Sequence, residues 1–192
     1  MKIFLDCSDV DLIKHGFESG LVDGVTTNPS LMLKAGKNPM DVLKEISEIF
    51  PFHSSISAEV VGDTVDSMLE EAEEYLQIGP NITIKVPCTR TGLKACLELS
   101  KIDVAVNVTL IFSAAQAILA SKAGATYVSP FIGRLNDQYW DGISLVEEIS
   151  DVFTTHSSKT EILAASIREP IQVAKCFRVG ADICTLPWDI FN

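Results

Sequence analysis

Residues 81–87 read Asn-Ile-Thr-Ile-Lys-Val-Pro, a short apolar run that contains one lysine. Ile82, Ile84 and Val86 alternate with polar residues, which is the period of a β-strand with two different faces. The proline that closes the run is typical of a strand end. Lys85 therefore points either into solvent, where an edge-strand lysine discourages aggregation, or into an enclosed site. The rest of the chain decides between these two interpretations.

Short strand-like runs alternate with segments of helical period along the whole chain. Gly20 and Gly180 follow two of the helical segments, while Asn38-Pro39, Ser113 and Pro170 stand where others begin. The strand candidates are residues 2–6, 21–25, 54–61, 81–87, 104–109, 125–131, 160–167 and 181–186.

Eight strand–helix units without a linker predict a single α/β domain over residues 1–192, a (β/α)8 TIM barrel. We expect a truncated eighth helix, because residues 187–192 provide barely one turn. A doubly wound sheet shares the alternation, but it usually has fewer strands and often carries a Gly-rich phosphate loop, which this sequence lacks. Inside a barrel, we expect desolvation to disfavour the ammonium form of Lys85 and to yield an amine that can attack a carbonyl.

Composition excludes several classes of function. The net charge is −11 and no Lys/Arg-rich block occurs, so we expect neither nucleic acid nor a membrane as a partner. Hydrophobic content of 47%, with short apolar runs and no signal peptide, predicts a soluble cytoplasmic protein. The five cysteines lack a CxxC pair and the three histidines lack ligand spacing, so we expect reduced thiols and no metal site.

Polar side chains stand at the carboxyl ends of most predicted strands. In a barrel of parallel strands these ends meet at one face, where the chemistry of this fold takes place. A lysine can act as a nucleophile, carboxylates can move protons, and arginines can hold a phosphate through paired hydrogen bonds. The candidate site residues are Asp6, Thr26, Thr27, Asn28, Glu59, Lys85, Asn107, Thr109, Ser129, Arg134, Ser166 and Arg168.

Each candidate also has a purely structural interpretation. Asp6 suits the cap of the helix that follows, Asn28 suits a turn with Pro29 at a helix start, and Glu59 suits an exposed strand end. Arg134 and Arg168 suit surface ion pairs, which are worth at most about 1 kcal/mol each. It would be a coincidence for so many polar residues with separate structural roles to meet at one end of the barrel. We therefore favour a single site at the barrel mouth.

Seven stretches of the sequence together indicate a family. They are Phe-Leu-Asp at 4–6, Gly-Val-Thr-Thr-Asn-Pro-Ser-Leu at 24–31, Ala-Glu-Val at 58–60, Asn-Ile-Thr-Ile-Lys-Val-Pro at 81–87, Asn-Val-Thr-Leu-Ile-Phe-Ser at 107–113, Tyr-Val-Ser-Pro-Phe-Ile-Gly-Arg at 127–134 and Ala-Ala-Ser-Ile-Arg at 164–168. In these stretches, which span nearly the full chain, the sequence resembles the transaldolases, in the compact subfamily that also contains fructose-6-phosphate aldolase.

The resemblance implies a class I aldolase-like barrel that works without a metal or cofactor. It implies that Lys85 forms a Schiff base with the substrate, and that Glu59 and Thr109 position the water that relays protons. Asp6 would take the proton from the C4 hydroxyl during carbon–carbon cleavage. The substrate-binding residues implied in the same way are Thr27, Asn28, Asn107, Ser129 and Phe131, with Arg134, Ser166 and Arg168 holding the phosphate.

Two positions separate the subfamilies. Transaldolases carry Glu and Phe where the aldolases carry Gln and Tyr, and this sequence has Glu59 and Phe131. A carboxylate can accept and return protons, whereas an amide can only form hydrogen bonds. We therefore expect transfer of a dihydroxyacetone unit between sugar phosphates. The alternatives are a fructose-6-phosphate aldolase and a non-catalytic sugar-phosphate-binding barrel, against which the presence of both Lys85 and Glu59 argues.

The last residues of the sequence raise the question of assembly. Strands of a parallel barrel are apolar on both faces, so the barrel needs cover on its whole outer surface. We expect Trp188, Ile190 and Phe191 to fill the gap near the first and last strands, either locally or across a subunit contact. The resemblance implies a homo-oligomer, a pentamer or a decamer. Cys7 departs from the family pattern, which has threonine after the first-strand aspartate.

Overall fold

The computed structural model describes residues 1–192, except for the side chain of Ala35. Eight strands alternate with helices. The strands are β1 (Lys2–Asp6), β2 (Gly24–Thr26), β3 (Ser55–Glu59), β4 (Ile82–Pro87), β5 (Val106–Ile111), β6 (Tyr127–Pro130), β7 (Glu161–Ala164) and β8 (Ile183–Leu186). The helices are α1 (Val10–Glu18), α2 (Pro29–Ala35), α3 (Pro39–Ile49), α4 (Val65–Leu76), α5 (Arg90–Ser100), α6 (Ala114–Lys122), α7 (Ile132–Asn136), α8 (Gly142–Thr155), α9 (Pro170–Arg178) and α10 (Trp188–Phe191).

The sheet is a closed barrel in which the strands follow chain order and β8 pairs with β1. All neighbouring strands are parallel, so their carboxyl ends meet at one face. The predicted TIM barrel is confirmed. Because β4 lies between β3 and β5, Lys85 is not on an edge strand.

Capping side chains fix where most helices begin. Asn38 and Ser113 accept hydrogen bonds from backbone N–H groups at the starts of α3 and α6, as the sequence predicts. The cap of α1 is Asp9, whose carboxylate accepts from the N–H groups of Asp11 and Leu12. Asp6 therefore does not cap this helix, and the structural interpretation of Asp6 is wrong.

Two short helices, α2 and α7, lie outside the segments of helical apolar period, and only the start of α2 at Asn28-Pro29 is signalled by the sequence. Asn28 caps α2 through a bond from the Leu31 N–H at 3.0 Å. After β6 the pattern predicts a loop, but Ile132–Asn136 forms α7. The N–H groups of Ile132 and Gly133 donate to the carbonyls of Ala165 and Ser166, just after β7, at 3.0 and 2.9 Å, and this pairing holds the segment in place. Such short helices are too brief to show a clear 3.6-residue period.

Alternate strand residues separate an apolar outer layer from the barrel interior. Leu5 and Ile84 face the helices and belong to the main core. Towards the amino-terminal end, the interior is filled by a small cluster of Phe4, Leu163 and Ile183. Gly24 makes room for this filling, because a Cβ there would lie 2.8 Å from the Phe4 ring and 2.5 Å from a backbone oxygen. The barrel interior is thus filled by apolar side chains towards the amino-terminal ends of the strands and lined by polar side chains at their carboxyl ends.

The segment after β8 covers the barrel locally. Trp188 packs edge-on against His15 of α1 at 5.7 Å between ring centroids, and Phe191 lies against Trp188 at the same distance. Ile190 is also half-buried against the core. Local filling of this gap is therefore confirmed. Within the described residues, every helix is too short or too polar to cross a bilayer.

Candidate active site

A cavity of about 420 Å³ opens at the carboxyl ends of the strands. Its volume lies in the range of pockets that bind small molecules. The predicted site residues that line it are Asp6, Thr26, Asn28, Glu59, Lys85, Asn107, Thr109, Ser129, Phe131, Arg134, Ser166 and Arg168. Residues from six strands and from the loops after them thus converge on one space, as the sequence predicts for a barrel mouth.

Lys85 lies in the wall of this cavity and is only 6% exposed. Its register partner on β3 is Glu59, and Lys85 Nζ lies 2.9 Å from Glu59 Oε2. Nζ also donates to the backbone carbonyl of Thr27 at 2.9 Å. The carboxylate and the carbonyl replace the water that the ammonium loses on burial. An amine in direct contact with a carboxylate can give up its proton to it and become a nucleophile.

Thr27 is the one predicted residue that the structure places outside the cavity wall. Its hydroxyl donates to the carbonyl of Ser57 at 2.8 Å and is buried between β2 and β3. The backbone of Thr27 nevertheless contributes, since its carbonyl accepts from Lys85.

Asp6 stands at the end of β1 and shares the cavity with Lys85 and Glu59. Thr26 Oγ1 donates to Asp6 Oδ1 at 3.0 Å. Burial raises the pKa of Asp6 above its ordinary value; nearby Lys85 and the Thr26 hydrogen bond oppose this shift, and the Glu59 charge adds to it. A buried carboxyl group with a raised pKa is suited to accept and return a proton.

The amide of Asn107 and the hydroxyls of Thr109 and Ser129 cover the β5–β6 side of the cavity. Asn107 Nδ2 donates to Ser57 Oγ at 3.2 Å, and Asn107 Oδ1 accepts from Ser129 Oγ at 2.7 Å. Within the described residues, Thr109 Oγ1 is the buried side-chain oxygen that has no hydrogen-bond partner. A buried hydroxyl without a partner is costly, so its placement on the cavity wall points to a ligand or water as its partner.

The backbone beside Thr109 is strained. The pairing of β5 with β6 shifts register between Val108 and Ile111, and Leu110 has φ 61°. Ser166, on the same cavity wall, has φ 59°. Non-glycine residues in this region of φ cost free energy and cluster at functional sites.

The two arginines lie at the outer rim of the cavity. Arg134 stacks over the ring of Phe131, with the guanidinium carbon 5.1 Å from the ring centroid. Arg168 Nη2 donates to Asp137 Oδ2 at 2.9 Å, and both side chains are about half exposed. Each guanidinium thus keeps most of its N–H donors for an anion at the rim.

Close packing brings the two arginine segments together. Gly133 lies at the contact between these segments, and a Cβ on this residue would lie 2.7 Å from Arg168 Cγ. The absence of a side chain at Gly133 therefore allows Arg168 to approach α7.

Sequence reasoning missed several cavity residues. Thr185 at the end of β8 lines the wall and contacts Thr26 at 2.7 Å between hydroxyl oxygens. Its position at a strand end, where other candidates were found, is the signal that identifies it. Asp137 pairs with Arg168 but lies outside the cavity wall, in a segment that shows no motif of its own. Asn28 has a double role, since it lines the cavity and also caps α2.

The closed barrel and the buried lysine–carboxylate pair at its carboxyl face define a (β/α)8 barrel with an enzyme-type site. A family profile described as Transaldolase/Fructose-6-phosphate aldolase matches residues 3–192. The chain belongs to this family and is therefore an enzyme of the transaldolase or aldolase type.

Similar proteins agree with this membership. A probable transaldolase of Methanococcus maripaludis is 50% identical over 192 residues, which cover 100% of this chain and 88% of the relative. One of Geotalea daltonii is 52% identical over 190 residues, covering 99% of this chain and 88% of the relative. The crystal structure of 3-hexulose-6-phosphate synthase superposes with a TM-score of 0.71 at 17% identity, covering 97% of this chain and 90% of that one. This last likeness shows the fold alone.

The raised pKa of Asp6 generates a prediction about stability. Because the folded state binds the Asp6 proton more tightly than the unfolded state, the wild type gains stability as pH falls through the folded pKa towards about 3.9. Asp6→Asn lacks this titration. The free energy of unfolding, wild type minus variant, should therefore increase between pH 7 and pH 4, as measured by urea denaturation. Asp63→Asn, at an exposed position, is the control. A difference that stays constant or decreases contradicts the assignment.

Proposed function

We propose that the chain is a transaldolase that moves a dihydroxyacetone unit from sedoheptulose 7-phosphate to glyceraldehyde 3-phosphate. The products are erythrose 4-phosphate and fructose 6-phosphate, in the non-oxidative pentose phosphate pathway. The observation that carries the proposal is the buried contact of Lys85 Nζ with Glu59 Oε2 at 2.9 Å on the cavity wall. The probable transaldolases at about half identity support it.

The reaction would begin with imine formation at Lys85. Glu59 accepts a proton from the amine, and Nζ attacks the C2 carbonyl carbon of the donor ketose. The resulting carbinolamine loses its hydroxyl as water, using the proton that Glu59 returns, and a protonated imine remains. Thr109 Oγ1 is buried on the cavity wall and suits the role of a hydrogen-bond partner for this water.

Asp6 would serve the carbon–carbon step. Its carboxylate removes the proton of the C4 hydroxyl, the C3–C4 bond breaks, and the electron pair moves to the imine to form an enamine. The aldose phosphate leaves, and the enamine attacks the aldehyde carbon of the acceptor, whose oxygen takes the proton back from Asp6. Hydrolysis of the imine then releases the new ketose. Burial makes the carboxylate of Asp6 a stronger base, which favours the first proton transfer.

Polar groups on opposite sides of the cavity would hold the substrate. Asn107 and Ser129 suit the hydroxyls of the dihydroxyacetone unit, and Asn28 lies on the same cavity wall. Arg134 and Arg168 suit the phosphate at the rim, because guanidinium groups pair with phosphate oxygens bidentately. Ser166 would add a hydroxyl donor there. In a protein with a net charge of −11, two arginines at one cavity rim provide a local site for an anion.

Lys85 variants test the proposed function. Lys85→Ala removes the nucleophile, and transfer should fall by as much as about 10⁶-fold, the lower end of enzymatic acceleration. Lys85→Arg should be equally inactive, because a guanidinium stays protonated and forms no imine. Lys101→Ala, at an exposed lysine, is the control. Transfer of dihydroxyacetone is measured in a coupled assay with sedoheptulose 7-phosphate and glyceraldehyde 3-phosphate. A Lys85→Ala protein with near wild-type transfer would refute the mechanism.

Arginine variants test phosphate recognition. Arg134→Ala and Arg168→Ala should each lower kcat/KM for phosphorylated donors by about 10- to 150-fold, since a charge-assisted hydrogen bond contributes about 1.5–3 kcal/mol. Most of this loss should appear in KM, and unphosphorylated donors should be little affected. Arg178→Ala, in the last turn of α9, is the control. Equal losses for both donor classes would mean that the arginines are structural.

A Phe131 variant tests whether this residue favours transfer of dihydroxyacetone to an acceptor over its release as the free ketone. Phe131→Tyr brings a hydroxyl to the cavity wall, where it can position water, and should increase the release of free dihydroxyacetone in the absence of an acceptor. Phe112→Tyr is a matched control, because its ring lies 5.9 Å from that of Phe131 but outside the wall. The ratio of transfer to release is the quantity to measure. An unchanged ratio in Phe131→Tyr would remove this residue as the determinant.

We also propose that the enzyme acts in the cytoplasm as a homo-oligomer, a ring of five or a pair of such rings. Free thiols at all five cysteines support a reducing compartment. Exposed apolar side chains such as Leu33, Phe52 and Trp140, with 71–84% of their surface accessible, support a subunit contact. Light scattering should give a mass several times 20.9 kDa. An active monomer at micromolar concentration would contradict the assembly.

A further inference from the structure

Two buried hydroxyls connect Asp6 to the last strand of the barrel. Thr26 on β2 donates to Asp6 Oδ1 at 3.0 Å, and Thr26 Oγ1 lies 2.7 Å from Thr185 Oγ1 on β8. Thr26 and Thr185 are 3% and 2% exposed. Because β2 and β8 are the two neighbours of β1, the two threonines come from opposite sides of the strand that carries Asp6.

The chemistry of Asp6 fixes the direction of this chain. An ionised carboxylate only accepts hydrogen bonds, so the single proton of the Thr26 hydroxyl points to Asp6. In the contact between the two threonines, Thr185 must then be the donor and Thr26 the acceptor. The order of donation is Thr185 to Thr26 to Asp6. A hydroxyl that accepts a hydrogen bond donates more strongly, because hydrogen bonds in a chain polarise one another.

We propose that Thr185 is a positioning residue that directs the Thr26 hydroxyl to Asp6 and so holds this carboxylate oriented and ionised for proton transfer from the substrate. The inference rests on the proposed function of Asp6. It assigns a role to β8, which contributes no residue to the predicted site.

The electrostatic surroundings of Asp6 explain why such support matters. Burial and the Glu59 charge both favour the protonated carboxyl, whereas the Lys85 charge and the hydrogen bonds from Thr26 and Asn28 favour the carboxylate. Without Thr185, the Thr26 hydroxyl would be free to rotate away from Asp6. The other charged or titratable groups that line the cavity or lie next to Asp6 are Glu59, Lys85, Arg134, Arg168 and the Cys7 thiol.

A second hydroxyl pair in the barrel provides a comparison. Ser55 on β3 and Thr83 on β4 are buried and lie 2.8 Å apart, but neither lines the cavity or bonds to Asp6. A threonine that serves only to satisfy a buried partner should behave like Thr83. Thr83→Val is therefore the matched control for Thr185→Val, since both replace a buried hydroxyl by a methyl group.

The test is the pH profile of kcat/KM for dihydroxyacetone transfer. The acid limb is the range in which kcat/KM falls as the pH is lowered. In Thr185→Val this limb should move to higher pH by roughly half a pH unit, because the hydrogen bond from Thr26 that stabilises the Asp6 carboxylate is weakened. Activity on the alkaline side of the limb should change little. Thr185→Ser should restore the wild-type limb, since it keeps the hydroxyl. Thr83→Val should lower Tm and leave the limb where it is. If Thr185→Val does not fold, Thr185→Ala serves in its place.

The outcomes separate this inference from the function on which it rests. An active wild type whose acid limb is the same in Thr185→Val overturns the inference alone. An equal shift in Thr83→Val does the same, because it assigns the effect to general loosening of the barrel. A wild type without transfer activity overturns the proposed function and this inference together.

Discussion

The contact between Lys85 and Glu59 is the constraint on which the rest of the site depends. An ammonium and a carboxylate are both costly to bury, and removing one partner of such a pair costs about 3–5 kcal/mol. The closed barrel makes the pair possible, because the register of β3 with β4 sets the two residues side by side. The Thr27 carbonyl satisfies a further proton of the ammonium. The outer apolar layer of strands and helices supplies the stability that this polar interior does not.

Most buried polar side chains that the structure describes at the carboxyl end of the barrel interior are hydrogen-bonded to one another, and the Thr109 hydroxyl is the exception. Asn107 is satisfied on both sides by serines, and Asp6 is held by Thr26. Thr109 Oγ1 alone is buried without a partner among the described residues, next to the strained backbone of Leu110. Strain of this kind costs about 1–3 kcal/mol per residue and persists only where the surrounding structure enforces it. The strained segment thus adjoins a hydroxyl on the cavity wall that is open to a ligand or water.

Much of the fold and of the site could be predicted from the sequence, because strand period and strand ends are local signals. The alternation around Lys85 indicates its inward face, and the closed barrel follows from the repetition of such units. Local signals fail where tertiary contacts decide. The helix at Ile132–Asn136 is held by the carbonyls of Ala165 and Ser166 after β7, which no nearby residue reveals. Thr27 carries the same hydroxyl as Thr26 but faces a backbone carbonyl instead of the cavity. The pairing of Arg168 with Asp137 likewise joins residues from different segments.

The central claim is that Lys85 forms a covalent imine with the donor ketose. The most direct test is reduction with borohydride in the presence of fructose 6-phosphate, followed by proteolysis and mass mapping of the peptides. An imine becomes a stable secondary amine on reduction, so the account predicts a dihydroxyacetone adduct on the peptide that contains Lys85 and on no other lysine peptide. Fully modified protein with the adduct on a different lysine, or an active enzyme that is never labelled, would contradict it.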